Sequence, residues 1–187
     1  MTFATTDPKL TLEDPNADLR DSYRGLVHEF VEGGEPLVPF PLKFPNDDFA
    51  KFLEHLSACA RGEGLPPGFV AHSTYWLVLV GTEVVGVSNL RHELTEALRR
   101  EGGHIGYGVR PSARRNGYAT ELLRQTLLRA EALGLSDVLI TCTKTNEASV
   151  HTILRNGGVL ESEEYISEHS VHNDVVQRYR ISCGSRG

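Results

Sequence analysis

A basic turn that leads directly into an amphipathic helix is the part of this sequence best suited to chemistry. The first N–H groups of a helix have no partner inside it, and the helix dipole adds about half a positive charge there. Two arginines add full charges, and small side chains let a ligand approach the backbone. The turn therefore predicts a site for an anion, most naturally a phosphate group. Its residues are Arg114, Arg115, Asn116, Gly117, Tyr118, Ala119 and Thr120.

The same turn has an ordinary explanation. An arginine-rich turn before a helix is, by itself, more often a solvated loop than a binding site. The sequence has neither the Gly-x-Gly-x-x-Gly turn of a dinucleotide fold nor the Gly-Lys-Ser/Thr of a P-loop. The interpretation as an anion site therefore depends on the elements around the turn.

Further side chains could take part in chemistry, each with a structural alternative. His104 precedes a predicted strand and could accept a proton near neutral pH, but a lone histidine is more often structural. Asn146 and Ser149 open a predicted helix, where Asn146 is also a good N-cap. Cys142 ends a predicted strand, and a buried, inert thiol is the commoner case there.

Hydrophobic periodicity predicts the elements that must position these residues. After Gly117, apolar side chains recur at helical spacing for more than four turns, and Gly134 follows as a C-terminal cap. A segment with four prolines, 36–45, predicts a stiff loop. The predicted order is a strand near 9–12, helices near 19–33 and 46–62, a hairpin of 74–80 and 83–90, a short helix at 94–100, a strand at 104–109, the helix after 117, a strand at 138–140, a helix at 146–156 and strands at 159–165 and 175–181.

Composition excludes several classes of protein. The 187 residues suit one globular domain, with 40% hydrophobic and 24% charged residues. The sequence has neither an apolar run near the roughly 20 residues of a membrane span nor the features of a signal peptide, so we expect a cytoplasmic protein that does not bind membranes. Three cysteines without CxxC spacing predict neither disulfides nor a metal site. A net charge of -6 argues against nucleic acid as a partner.

The basic turn matches a known signature. Arg114-Arg115-Asn116-Gly117-Tyr118-Ala119 resembles the Q/R-x-x-G-x-G/A motif with which the GNAT acetyltransferase superfamily binds the pyrophosphate of acetyl-CoA. The motif follows a strand and opens a long helix, and a strand, an Asn-containing helix and two strands come next, as in that superfamily. The similarity covers about residues 74–181. The wider pattern, including 73–78 and 102–107, resembles a bacterial branch of predicted acetyltransferases.

This resemblance implies a fold, a cofactor and a set of contacts. It implies one α/β domain over 1–187, with a mixed, mostly antiparallel sheet of about seven strands, about four helices and a splayed central strand pair. Residues 74–181 would bind acetyl-CoA as a co-substrate, without a metal, and 1–70 would form the acceptor side. The cofactor contacts that it carries over are Val109, Arg110, Arg114, Arg115, Asn116, Gly117, Tyr118, Ala119, Thr120, Asn146 and Ser149. Gly106 and Gly108, on the preceding strand, either make room for the ligand or mark a bulge or packing contact.

The resemblance also implies direct attack of an amine on the thioester. The superfamily often has an acid or base near the start of the strand before the motif, where this chain offers His104; Glu93 and His92 are weaker candidates. Its usual general acid is a tyrosine seven residues after the helix asparagine, and that position is Ile153. The leaving thiolate would then be protonated by water, by Ser149 or by another residue, or it would leave without a dedicated acid.

Three hypotheses follow. The first is an acetyl-CoA-dependent N-acetyltransferase acting on a primary amine of a small molecule or peptide, with acidic residues such as Glu35 favouring a cationic acceptor. The second, motivated by Ile153, is a catalytically silent acyl-CoA-binding or sensing module. The third is a structural or nucleic-acid-binding domain without affinity for CoA. The sequence leaves the oligomeric state open, a homodimer included.

Overall fold

The computed structural model describes residues 9–166 and 174–184. In this part of the chain the α-helices and strands follow the predicted order, so the expected α/β class with about seven strands is confirmed. The strands are β1 (Leu10–Glu13), β2 (His72–Leu79), β3 (Glu83–Arg91), β4 (Ile105–Val109), β5 (Asp137–Thr143), β6 (Val159–Tyr165) and β7 (Val175–Ser182). The helices are α1 (Arg20–Glu32), α2 (Phe49–Arg61), α3 (Glu96–Arg100), α4 (Tyr118–Ala132) and α5 (Glu147–Arg155).

The strands form two sheets where the sequence predicted one. The first sheet has the order β1-β2-β3-β4 and the second β5-β7-β6, and each hydrogen-bonded pair in them is antiparallel. The sheets meet at one end of β4 and β5, where the N–H of His104 donates to the Leu139 carbonyl at 2.7 Å. These two strands share this contact rather than a ladder, which is why the structure has two antiparallel sheets. The prediction that β4 and β5 splay apart beyond His104 and Leu139 stays a prediction.

Two hydrophobic clusters cover opposite faces of the first sheet. One packs α4 and α5 against the sheets and includes Leu122 and Leu123, which are fully buried. The other packs α1 and α2 on the far face, where Tyr23 stacks on Trp76 at 4.6 Å between ring centroids. Burying one such large apolar side chain contributes on the order of 2 kcal/mol. This packing fixes the start of α4 beside the end of β4.

Two local predictions need correction or refinement. Helix α2 begins after Asp48, whose side chain accepts from the N–H of Lys51 at 3.2 Å, and not after the predicted cap at position 46. The glycines of β4 make room for the proline-rich loop: a Cβ on Gly108 would overlap the carbonyl oxygen of Val38, and one on Gly106 would lie 3.4 Å from Pro39. The packing interpretation of these glycines is therefore the one that the structure favours.

Candidate active site

A groove of about 540 Å³ lies between β4, the start of α4 and α5. Of the eleven residues predicted to contact the cofactor, nine line this groove, while Arg110 and Asn116 do not. The structure thus brings together residues from three separate segments of the chain. The lining residues are Glu35, Tyr107, Gly108, Val109, Arg114, Arg115, Gly117, Tyr118, Ala119, Thr120, Asn146, Ala148, Ser149 and Thr152.

The start of α4 presents backbone donors to the groove. Gly117 precedes the helix with φ 79°, a left-handed conformation that favours glycine. The N–H groups of Thr120 and Glu121 donate to the Gly117 carbonyl at 3.1 and 3.2 Å. The amides of Tyr118 and Ala119 are in the first turn and have no partner within the helix. Among the described residues, no side chain caps this turn, so these two amides are placed to bind an anion.

The free edge of β4 forms a second wall of the groove. The His104 carbonyl accepts from the N–H of Arg91, and the N–H of Arg110 donates to the Val85 carbonyl, so these two groups at even positions face β3. Backbone groups alternate between the two edges of a strand. Residues at odd positions, Tyr107 and Val109, therefore turn their N–H and C=O groups toward the groove. The Val109 carbonyl accepts from Nε of Arg114 at 3.3 Å, and an extended ligand could pair with the other groups of this edge.

Arg114 stands at the mouth of the groove with a carboxylate as its partner. Its guanidinium donates to both oxygens of Glu35 at 2.9 and 2.6 Å and lies 5.5 Å from the centroid of the Phe30 ring. These hydrogen bonds hold the pKa of Glu35 below its usual value. Arg115 is exposed, has φ 66° and also lines the groove. An incoming phosphate would therefore meet one arginine that is already engaged by Glu35.

Helix α5 contributes hydroxyl groups from its first turn. Asn146 caps the helix by accepting from the N–H of Ser149 at 3.1 Å, so the capping role of Asn146 is confirmed. The Ser149 hydroxyl lies 2.8 Å from the hydroxyl of Tyr107. Burial raises the pKa of Tyr107 to about 12, so this phenol stays protonated at neutral pH. The groove thus has a pair of neutral hydroxyl groups between β4 and α5.

Two predicted cofactor contacts have other roles. The Arg110 side chain turns toward α1, where it donates to Glu29 at 2.8 Å and to Glu83 at 3.0 Å, and only 11% of it is exposed. Its backbone N–H and C=O are bonded to Val85 and Ala113. Arg110 is therefore a buried ion-pair residue, because two carboxylates outside the groove hold its charge. Asn116 holds the turn itself by donating to the carbonyl oxygens of Ala113 and Arg114 at 3.1 and 3.2 Å.

His104, the predicted base, is also placed outside the groove. It is 8% exposed, and its Nδ1 accepts from the N–H of Leu139 at 2.9 Å. Burial lowers its pKa to about 4, with Arg99 acting in the same direction. Since Nδ1 accepts, the neutral ring carries its hydrogen on Nε2 and has no free lone pair for a proton. The ring joins the two sheets, and this geometry corrects the expectation that it acts as a base.

The sequence matches the family model for an acetyltransferase (GNAT) domain over residues 10–159. The chain belongs to the GNAT family of acetyltransferases. No curated protein sequence is significantly similar to it. The GNAT resemblance of the basic turn is thus part of a match that covers most of the chain.

Solved structures with the same fold include several GNAT proteins of low sequence identity. The microcin C7 self-immunity acetyltransferase MccE, in complex with acetyl-CoA and AMP, is 16% identical with a TM-score of 0.66, and the match covers 95% of this chain and 93% of that one. The Salmonella typhimurium acetyltransferase that modifies the N-terminal serine of ribosomal protein L7/L12 is 18% identical, with a TM-score of 0.64 and coverage of 92% and 94%. The dodecameric spermidine N-acetyltransferase of Vibrio cholerae is 17% identical, with a TM-score of 0.60 and coverage of 92% and 93%.

At position 153, where GNAT enzymes usually have a tyrosine, this chain has a residue of the hydrophobic core. Ile153 is fully buried in the cluster beneath α4 and α5. Cys142 is partly buried next to this cluster, and burial raises the pKa of its thiol. Within residues 9–166 and 174–184, no group of three or more His, Cys, Asp and Glu side chains is arranged to hold a metal ion. None of the helices in the described part of the GNAT chain is long and apolar enough to cross a bilayer.

The prediction from sequence missed part of the groove. Tyr107 was named only within a longer pattern, although it shares its strand edge with Val109, and Gly108 was considered only as a residue that makes room for the ligand or marks a bulge or packing contact. Ala148, Ser149 and Thr152 recur at helical spacing, a signal that could have extended the α5 wall beyond Ser149. Glu35 was assigned to the acceptor, and no local signal places it beside Arg114.

Proposed function

We propose that this GNAT protein transfers the acetyl group of acetyl-CoA to a primary amine of a small molecule or peptide. One observation carries the proposal: the uncapped amides of Tyr118 and Ala119 and two arginines meet at one groove whose opposite wall is the free edge of β4. A diphosphate would bind the amides, and the pantetheine arm would pair with the edge at Tyr107 and Val109. We expect the protein to be cytoplasmic.

The reaction follows from the chemistry of the two substrates. The neutral amine attacks the thioester carbonyl directly, the C–N bond forms, and the C–S bond breaks to release CoA. A lysine-like amine with a pKa near 10.4 is mostly protonated at pH 7. Removing its proton adds roughly 4.6 kcal/mol to the barrier. We therefore expect the rate to rise with pH until the amine is neutral.

Named activities of the similar GNAT structures support an amine acceptor. One of these proteins acetylates spermidine and another an N-terminal serine, so both take an amine. In this chain Glu35 places a carboxylate at the groove, which suits a cationic acceptor. A homodimer is compatible with this reaction, and its test is the mass of the protein in solution.

Binding of the cofactor tests the proposal directly. Acetyl-CoA at about 100 times its dissociation constant should stabilise the fold by roughly 2.7 kcal/mol, or about 5 to 10 °C in melting temperature. Gly117→Glu places a carboxylate in the anion site and should abolish this shift. Gly134→Glu is the matched control, since Gly134 also has open space and positive φ but follows the other end of α4. A melting temperature that acetyl-CoA leaves unchanged in the wild type would refute the proposal.

A second candidate function is supported by two side chains that do not reach the groove. Ile153 is buried, and the Nδ1 lone pair of His104 is used, which leaves a silent acyl-CoA-binding module as the alternative. Release of free thiol from acetyl-CoA in the presence of a panel of amines distinguishes the two. Turnover with at least one amine supports the transferase, whereas binding without turnover across polyamines, amino acids and peptides supports the binding module. Absence of acetyl-CoA binding favours the third hypothesis, a structural or nucleic-acid-binding domain without affinity for CoA.

A further inference from the structure

Two neighbouring side chains of the first sheet each have a buried polar atom without a partner, beneath the proline-rich loop. His72, on β2, is 2% exposed, and Asn89, on β3, is fully buried. Within the described residues, Nε2 of His72 and Oδ1 of Asn89 have no hydrogen-bond partner. Buried polar groups of folded proteins are nearly always paired. These two atoms therefore indicate a place for a molecule that supplies their partners.

The existing hydrogen bonds determine what each atom can do. The amide nitrogen of Asn89 donates to the Ser73 carbonyl at 3.2 Å and to Nδ1 of His72 at 2.9 Å. Because Nδ1 accepts, the neutral imidazole carries its hydrogen on Nε2. Burial lowers the pKa of His72 to about 4, so the ring is neutral at pH 7. His72 thus offers an unused donor and Asn89 an unused acceptor.

Arg91 adds a positive charge beside His72, since the two residues are opposite each other in the ladder of β2 and β3. Its Nη1 donates to the carbonyl oxygens of Gly102 and Gly103 at 3.0 and 2.8 Å, and in the part of the chain that the structure describes no carboxylate pairs with it. The groups that add to burial in lowering the pKa of His72 are all basic: Arg91, His92 and His55. Charge of one sign without an internal counter-ion favours an anion at this place.

The ring of Phe40, in the proline-rich loop, covers both basic side chains. Its centroid is 4.9 Å from that of the His72 ring and 5.7 Å from Cζ of Arg91. Phe40 is itself partly exposed. The two basic side chains therefore lie behind a ring that reaches the surface.

This place is close to the cofactor groove along β4. The N–H of Arg91 donates to the carbonyl of His104, just before β4 begins. Tyr107, which lines the groove, is three residues further, or roughly 10 Å at the spacing of a strand. Gly106 lies between them and pairs with Asn89. A molecule that spans this distance would lie between Gly106 and the proline-rich loop, so its binding would move the loop outward.

We infer that His72 and Arg91 bind a carboxylate of the amine acceptor, and that this acceptor is an amino acid whose reacting amine is several bonds from its carboxylate. The inference rests on the proposed acetyl transfer and names its substrate class. One carboxylate oxygen accepts from Nε2 of His72 and the other from the guanidinium of Arg91, as charge-assisted hydrogen bonds. Oδ1 of Asn89 accepts from the α-ammonium group. L-Lysine and L-ornithine have these groups, and their side-chain amine extends toward the groove.

Acceptors that differ in the carboxylate provide the first test. L-Lysine should have a kcat/KM about 10- to 100-fold above that of L-lysinamide or of cadaverine, which is lysine without its carboxylate, because hydrogen bonds to a charged group are lost. L-Ornithine should exceed putrescine by a similar factor. Equal kcat/KM for L-lysine and L-lysinamide would overturn the inference, and a buried water would then be the partner of His72 and Asn89, while acetyl transfer still stands.

Two variants locate the preference. Arg91→Met and His72→Phe should each lower kcat/KM for L-lysine toward that for cadaverine and leave the value for cadaverine near that of the wild type. Arg129→Met is the matched control, because Arg129 is also partly buried, lies 5.1 Å from the centroid of the Tyr75 ring and donates to a carbonyl, but on the α4 side of the sheet. A structural role alone would lower kcat/KM for both acceptors alike, and that result would overturn the inference. If Arg91→Met does not fold, the comparison in His72→Phe decides.

Binding without turnover separates the inference from the proposed function. Calorimetric titration of the wild-type protein, with and without CoA, should show L-lysine binding about tenfold or more tightly than cadaverine. Equal affinities would overturn the inference. Absence of turnover with every amine would overturn the proposed transfer, whereas tighter binding of L-lysine would still support the carboxylate site.

Discussion

Replacement of Glu35 by glutamine should tighten the binding of acetyl-CoA. Glu35 accepts from both terminal nitrogens of Arg114, whose Nε donates to the Val109 carbonyl, and it adds a negative charge to the groove that a diphosphate must enter. Both side chains are partly exposed, at 42% for Arg114 and 36% for Glu35. An exposed pair of this kind contributes about 0.2 to 1 kcal/mol, so its removal should lower the dissociation constant by a factor of about 1.4 to 5.

Calorimetric titration of acetyl-CoA into wild type, Glu35→Gln and Glu32→Gln measures this effect. Glu32 is the last residue of α1, three residues before Glu35; it pairs with His28 and is 67% exposed, so Glu32→Gln makes the same change in net charge away from the groove. We expect Glu32→Gln to match the wild type and the gain in Glu35→Gln to shrink as salt rises. Weaker binding in Glu35→Gln would refute the reasoning, because it would mean that Glu35 holds Arg114 in its binding position.

Three further outcomes follow from the structure. Arg110→Met should lower the free energy of unfolding by about 3 kcal/mol, because it leaves two carboxylates without their cation. The melting shift caused by acetyl-CoA should remain, and its loss would mean that Arg110 contacts the cofactor. Asn146→Asp should preserve the helix cap, so the free energy of unfolding measured with urea should stay within about 0.5 kcal/mol of the wild type. The variant should bind acetyl-CoA more weakly, and unchanged binding would argue against a cofactor near Asn146. Burial lowers the pKa of His72 and His104 to about 4, below the value near 6.5 of the unfolded chain, so the unfolded state takes up more protons as pH falls below about 6.5. Stability is therefore lost as pH falls from 6.5 toward 4, by about 2 kcal/mol for each histidine at pH 5, and equal urea midpoints at pH 7 and pH 5 would contradict both pKa shifts.

Elements with a long hydrophobic period or a strong terminator were predictable from the sequence. Helix α4 has an apolar face of four turns and ends before Gly134, whose φ is 86°. The hairpin of β2 and β3 follows β-branched residues on both sides of Gly81. These signals are local. The division into two sheets depends on how β4 and β5 approach each other, which no local pattern records.

The same distinction explains the groove. The basic turn and Asn146 could be found because each motif is contiguous in sequence. The partners of Arg110 and Arg114 could not be predicted, because these carboxylates are distant in sequence: Glu29 and Glu83 are 81 and 27 residues from Arg110, and Glu35 is 79 residues from Arg114. The role of His104 likewise depends on Leu139, a residue of the other sheet. Side-chain direction at such positions is set by tertiary contacts.

A crystal structure of the protein in complex with CoA tests the central claim most directly. It should place pyrophosphate oxygens within roughly 2.7 to 3.2 Å of the amide nitrogens of Tyr118 and Ala119. The pantetheine arm should lie along β4 beside Tyr107. Pyrophosphate bound elsewhere, for example at the opening between α3 and β7 lined by Arg100 and Arg178, would contradict the account.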